Sequence, residues 1–107
     1  MQLTIKNRIT ILSLLPTETN ITNIRIIKEL SEKLALTEEE IIDYEVKTIP
    51  TERGTQTTWN QTGNESTIEV TLKKPSIDLL KEQIEKLDKA NTVTFDIFEV
   101  HELLNDV

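Results

Sequence analysis

Apolar residues in this chain change their period twice, and the changes divide it into a helical start, a β-rich middle and a helical end. In IKNRITILSLLP, Ile5, Ile9 and Leu12 recur at helical spacing, and Ile11, Leu14 and Leu15 widen that face. Pro16 ends the helix, since it has no amide hydrogen and its ring clashes with the preceding turn. Leu3 and Ile5 alternate, which leaves room for a short strand at the very start. In TNITNIRIIKELSEKLAL, Ile24, Ile27, Leu30 and Leu34 form the stripe of a second helix, capped by Asn20 or Thr22.

LALTEEEIIDYEV is a sharp restart. Thr37 lies three residues before Glu40, the spacing at which each side chain bonds the other's backbone amide. Leu36 and Ile41 sit where a hydrophobic staple would join across that cap. Glu38 and Glu39 fall in the first turn, where carboxylates complement the exposed amides and the helix dipole. Asp43 and Glu45 extend the acidic run. Local helix chemistry accounts for three of these acids without any active site.

After Tyr44 the period shortens. Val46, Thr48 and Ile49-Pro50 read as a strand, with turns at Gly54 and Gly63 around the β-branched TQTTWN. TIEVTL alternates, placing Ile68, Val70 and Leu72 inward. A three-stranded antiparallel meander is expected. Pro75-Ser76 opens another helix with the stripe Ile77, Leu80, Ile84 and Leu87, and with Glu82–Lys86 and Glu85–Lys89 pairs on its wet side. The end is ambiguous. Val93, Phe95 and Ile97 alternate as in a strand, whereas Thr94 followed by Phe98, Val100, Leu103 and Leu104 reads as a capped helix. The helix is preferred. Its apolar residues then point nearly all round, which implies burial on several sides, self-association or a partner surface.

The expected fold is a single compact α+β domain over residues 1–107, with helices around the meander. The order helix, helix, short helix, hairpin also fits a winged-helix N-terminal part. The third helix would then be the acidic TEEEIIDY, which phosphate repels, so such a wing would serve protein contacts.

Composition sharpens this picture. Hydrophobic residues make up 36% and aromatics only 4%, so the core must be mainly aliphatic. Cysteine is absent, which excludes disulfides, thiolate metal sites and Cys nucleophiles. No secretory leader is expected, and no apolar run approaches the roughly 20 residues that span a bilayer. The three N-x-[ST] triplets, at Asn20, Asn60 and Asn64, are read as chance products of a Thr- and Asn-rich chain. A formal charge of −7 argues against direct nucleic-acid binding and against anionic membranes.

Catalytic chemistry has little to stand on. His101 is the only histidine, and with Glu99 and Glu102 beside it in sequence it makes a poor metal site. Both glycines fall in expected hairpin turns, so no phosphate cradle is foreseen. The acids occupy wet positions, where two carboxylates would not acquire separate pKa values. No enzyme activity, cofactor or metal is expected. Trp59, the single tryptophan, is read as a half-core anchor or a binding platform.

Four segments, ILSLLP, IRIIKELSEKLALTEEEI, TTWN and LKEQIEKLDKANTVT, fall in order along most of the chain. Through them the sequence resembles small uncharacterised proteins encoded by phages and prophages. The chain departs from them around residues 47–57, where it is longer. The resemblance implies no ligand and no site residue. It implies a compact accessory protein acting in the cytoplasm of a bacterial host.

The expected function is therefore a non-enzymatic protein-interaction module with a host or phage protein as partner, or with a second copy of itself. The candidate contact residues are Glu38, Glu39, Asp43, Trp59, Phe98, Leu103 and Leu104. One alternative is an acidic inhibitor that imitates a nucleic acid through Glu38–Glu45 and Asp96, Glu99, Glu102 and Asp106. Another is a nucleotide sponge, for which only Lys73, Lys74, Arg53 and Trp59 could build a pocket.

Overall fold

A computed structural model describes residues 1–52 and 54–106. Arg53, one of the residues named for a basic pocket, lies outside the described residues. The chain runs β1 (Gln2–Thr4), α1 (Ile5–Leu14), α2 (Ile21–Leu34), α3 (Glu38–Asp43), β2 (Lys47–Thr51) and β3 (Gly54–Thr58). It continues through α4 (Gln61–Glu65), β4 (Thr67–Glu69), α5 (Lys74–Lys89) and α6 (Phe95–Asn105). The fold is α+β, with six helices and two small antiparallel sheets among the described residues.

Helix α1 is the hub. It touches β1, α2, α4, α5 and α6, so most of its circumference is enclosed. That explains why its stripe is broader than the sequence suggests. Ile5, Ile11 and Leu14 are buried, Ile9 and Leu12 are only partly covered, and the polar Asn7, Arg8 and Thr10 are buried as well. Each of these polar residues has a partner. Asn7 and Thr4 exchange side-chain-to-amide bonds of 3.1 Å across the start of α1. The Thr10 hydroxyl donates to the Lys6 carbonyl at 2.8 Å. Arg8, 2% exposed, forks onto both carboxylate oxygens of Glu40. Its Nε alone finds no acceptor among the described residues.

Around α1 the core is wholly aliphatic. Leu3, Ile11, Leu14, Leu30, Leu34, Val70, Leu72, Leu80, Ile84, Val100 and Leu104 form one cluster. Each fully buried side chain of this kind contributes about 1.5–3 kcal/mol.

The helix starts follow the sequence closely. Asn20 caps α2, its Oδ1 accepting from the Asn23 amide at 2.8 Å. At α3 the expected reciprocal cap is present, with both Thr37–Glu40 bonds at 3.1 Å. Glu40 thus has two tasks, since the same carboxylate that closes the cap also neutralises Arg8. The guanidinium holds its pKa below the ordinary 4.5, first through its hydrogen bonds.

The β-region differs from expectation. In place of a three-stranded meander there are two separate ladders. β1 pairs with β4 in the register Leu3↔Ile68, and β2 pairs with β3 in the register Ile49↔Gln56. The segment read as a turn at Gly63 is instead the helix α4, capped by Asn60. This helix leads the chain away from the hairpin and back to β1. Gly63 is needed for closeness, not for a turn: a Cβ there would lie 2.8 Å from Tyr44 Cβ. The inward residues are as expected, with Val70 and Leu72 buried. The β2–β3 hairpin itself is largely exposed.

At the C-terminus the helix reading holds over residues 95–105. Thr94 Oγ1 accepts from the Ile97 amide at 3.4 Å. Helix α5 stops where Asn91 enters the left-handed region at φ 57°. Asparagine tolerates that conformation, and the Thr92 amide closes the end on the Leu87 carbonyl at 2.9 Å. The chain then re-enters α6 beside α5.

The double role of Glu40 generates a pair of expected outcomes. Thr37→Ala removes one cap bond and costs about 0.5–2 kcal/mol of stability. Glu40→Gln also leaves a buried guanidinium without its counter-charge and costs about 3–5 kcal/mol. Urea unfolding of both variants at neutral pH should rank them in that order. The pair also carries a pH dependence. Because the folded pKa of Glu40 is depressed, its contribution is fully present above about pH 4.5 and is lost as pH falls through the folded value. The stability gap between wild type and Glu40→Gln should therefore shrink below pH 4.5. A constant gap would show that Glu40 is not ionised against Arg8.

Candidate functional site

The helix α6 packs with its Val100–Leu104 side, and both residues are 0% exposed. Ile97 and Leu103 flank that side and are half-buried against the core. A helix turns about 100° per residue, so residues three and seven apart return to one face. The face opposite Val100 therefore carries Phe95, Phe98 and Glu102, with Glu99 beside them, and all four are exposed. Phe95 is 83% exposed and Phe98 47%.

Those two exposures matter because of what the core lacks. Aromatic side chains carry the largest apolar area of any residue type. This chain has four, and none belongs to the core cluster. Both phenylalanines face outward instead. Exposed aliphatic residues occur elsewhere, at Ile21 and Ile24 on α2, at Ile41 and Ile42 on α3 and at Ile49 on the hairpin. Exposed aliphatic side chains are ordinary on protein surfaces. Phe95 and Phe98 differ in being aromatic and in lining, together with Val93, one recess.

Phe98 is also the shared wall of two further recesses. On one side a groove of about 420 Å³ runs between α5 and α6, lined by Ile84, Asp88, Val93, Phe98 and His101 among others. On the other side a shallower recess separates α6 from α1, with Asn7, Glu99, Glu102, Leu103 and Asp106 around Phe98. The His101 ring lies 6.4 Å from that of Phe98, and its Nε2 is 3.1 Å from Asn105 Nδ2. His101 is thus a half-buried groove residue. Among the described residues no group of three or more His, Cys, Asp or Glu is placed to hold a metal ion.

The rim of this face is acidic. Asp96 is engaged with Lys6 at 2.8 Å, and Glu85 with Lys89 at 3.1 Å. The hydrogen bond and charge of Asp96, and then the charge of Glu99, hold the Lys6 pKa above its ordinary value. Among the described residues Asp88, Glu99, Glu102 and Asp106 form no ion pair.

The other residues singled out from the sequence fall into separate places. Leu104 is corrected: it is a core residue with no surface to offer, because it lies on the side of α6 that packs inward. Leu103 is half-buried and lines the α1–α6 recess. Glu38, Glu39 and Asp43 are exposed on α3. Trp59 is partly covered, in a polar recess with Gln56, Gln61 and Asn64 that no lysine lines. Lys73 is bound to Glu29 at 3.1 Å, and that bond is the first cause of the lowered Glu29 pKa. The charges proposed for a nucleotide pocket are therefore not assembled around Trp59 among the described residues. Phe95, absent from the candidate contact residues of the sequence, is exposed on the same face as Phe98. Its signal was present: seven residues before Glu102 and three before Phe98, it shares their helical face.

The chain matches no protein-family model, no curated protein and no solved structure. No helix among the described residues is long and apolar enough to cross a membrane.

The division of α6 into a packed side and a free side can be checked by denaturation. Phe95→Ser should leave stability within about 0.5 kcal/mol of wild type, as expected for an exposed residue with little packing. Leu104→Ala should cost about 2–5 kcal/mol through the cavity it opens. Urea midpoints that reverse this order would place the outward face on the wrong side of the helix.

Proposed function

We propose that the protein is a non-enzymatic interaction module that binds another protein through the outward face of α6. The observation that carries this reading is the exposure of Phe95 and Phe98 on one helical face, around a recess shared with Val93 and with Phe98 also lining the α5–α6 groove, in a chain whose core cluster holds no aromatic residue. A grouped apolar patch bordered by polar residues is the usual mark of a binding surface. Aromatic anchors beside a concavity are what interface hot spots are made of. The resemblance of four segments to phage and prophage proteins supports an accessory role in a bacterial cell. The element order α1, α2, α3, β2, β3 is that of a winged-helix-like start, but neither α3 nor the β2–β3 hairpin packs broadly on the helices, so the proposed contacts are assigned to α6.

The acidic-mimic alternative has less behind it. Glu38 and Glu39 begin a six-residue helix, and Glu40 is committed to its cap and to Arg8.

The reading is tested by affinity retention from a bacterial lysate, comparing wild type with the double variant Phe95→Ser, Phe98→Ser. Circular dichroism and urea unfolding should first show the variant folded. A discrete protein retained by wild type and reduced at least about tenfold in the variant is the expected result. Identical retention by both would overturn it.

A further inference from the structure

The outward face of α6 is not uniformly apolar. Its first turn presents Phe95 and Phe98, and the turns that follow present Glu99, Glu102 and then Asp106, the residue that ends the helix. Glu102 and Asp106 lie three and seven residues along from Glu99, so all three share with the phenylalanines a face of about three helical turns. Five carboxylates (Glu85, Asp88, Glu99, Glu102 and Asp106) and one ammonium, that of Lys81, line the two recesses that Phe98 divides, with Glu85 paired to Lys89 and Glu99 within reach of the Lys6 charge. The apolar anchors are thus set in a predominantly negative field.

From this charge distribution, and resting on the docking reading above, we infer that the face is built for a basic amphipathic segment and not for a second copy of this chain. A symmetric dimer through α6 would bring the same patch to itself, as two-fold contacts do. Glu99, Glu102 and Asp106 of both copies would then be gathered into one interface, between molecules that each carry −7. Like charges across an interface repel and select against that partner. A segment with apolar anchors and flanking Lys or Arg meets the opposite situation. Its anchors enter the α5–α6 groove and cover Phe98 while its cations meet the unpaired acids. A helix laid into such a groove offers anchors at three- and four-residue spacing, which matches the run of recesses along α6.

The test uses the full chain and two synthetic helical peptides of identical apolar sequence, with Leu and Phe anchors at i, i+3 and i+7. One has Lys at its flanks and the other Glu. Binding is read by fluorescence anisotropy at low and high salt, with sedimentation of the protein alone run in parallel. The expected result is a preference of about tenfold or more for the Lys peptide at low salt, shrinking at high salt as screening acts on the exposed rim. Glu99→Gln, Glu102→Gln and Asp106→Asn together should abolish the preference, and Phe98→Ser should weaken both peptides. Equal, Phe98-dependent binding of the two peptides would overturn the charge inference while leaving the docking reading in place. Binding of neither peptide would overturn the inference, with the retention experiment above then deciding the docking reading alone. Concentration-dependent dimerisation that Phe98→Ser removes would also overturn it, in favour of the second copy.

Discussion

The enclosure of α1 is the constraint from which the remaining architecture follows. A ten-residue helix touched by one strand and four other helices has little circumference left for polar residues, yet it carries Arg8. A guanidinium cannot be left uncompensated in such a place, because removing a charge from water costs several kcal/mol. Glu40 supplies the compensation, and its position at the start of α3 is set by the Thr37 cap. One carboxylate therefore ties a surface helix to the central one. The acidic run that opens α3 is in this light a structural device at its third residue and solvated helix-starting charge at its first two.

The same enclosure determines what α6 can bury. Its inward side lies near α1 and α5, and that side is filled by Val100 and Leu104. The aliphatic cluster leaves the two phenylalanines to the opposite face. Transfer of their area from water is then still available to a partner, at roughly 25 cal/mol per Å² of apolar surface covered. The carboxylates in the next turn cannot be buried without counter-charge. Apolar driving force and charge selection thus lie one after the other along a single helix.

Much of the local structure was legible in the sequence, because it depends on neighbours a few residues apart. The caps at Asn20, Thr37 and Thr94, the Glu82–Lys86 and Glu85–Lys89 pairs and the aliphatic character of the core are of this kind. The misreadings have long-range causes. Arg8 shows no sign in sequence of lying inside, since its partner is 32 residues away. Gly63 was read by its turn propensity, whereas its role is to let α4 approach Tyr44. The β4 strand was joined to its sequence neighbour although its partner is β1, so a meander was expected where two ladders occur. For α6 the helix and its crowding were foreseen. Which apolar residues face outward depends on where α1 and α5 lie, and that decided between Leu104, which is covered, and Phe95, which is free.

Amide NMR of the isotopically labelled chain, titrated with the lysine-flanked apolar helix, reads the docking face directly. Shift changes should concentrate in residues 93–106 and in the part of α5 where Lys81, Ile84, Glu85 and Asp88 line the groove. Changes confined to the β2–β3 hairpin and Trp59, or to α3, would contradict docking on α6.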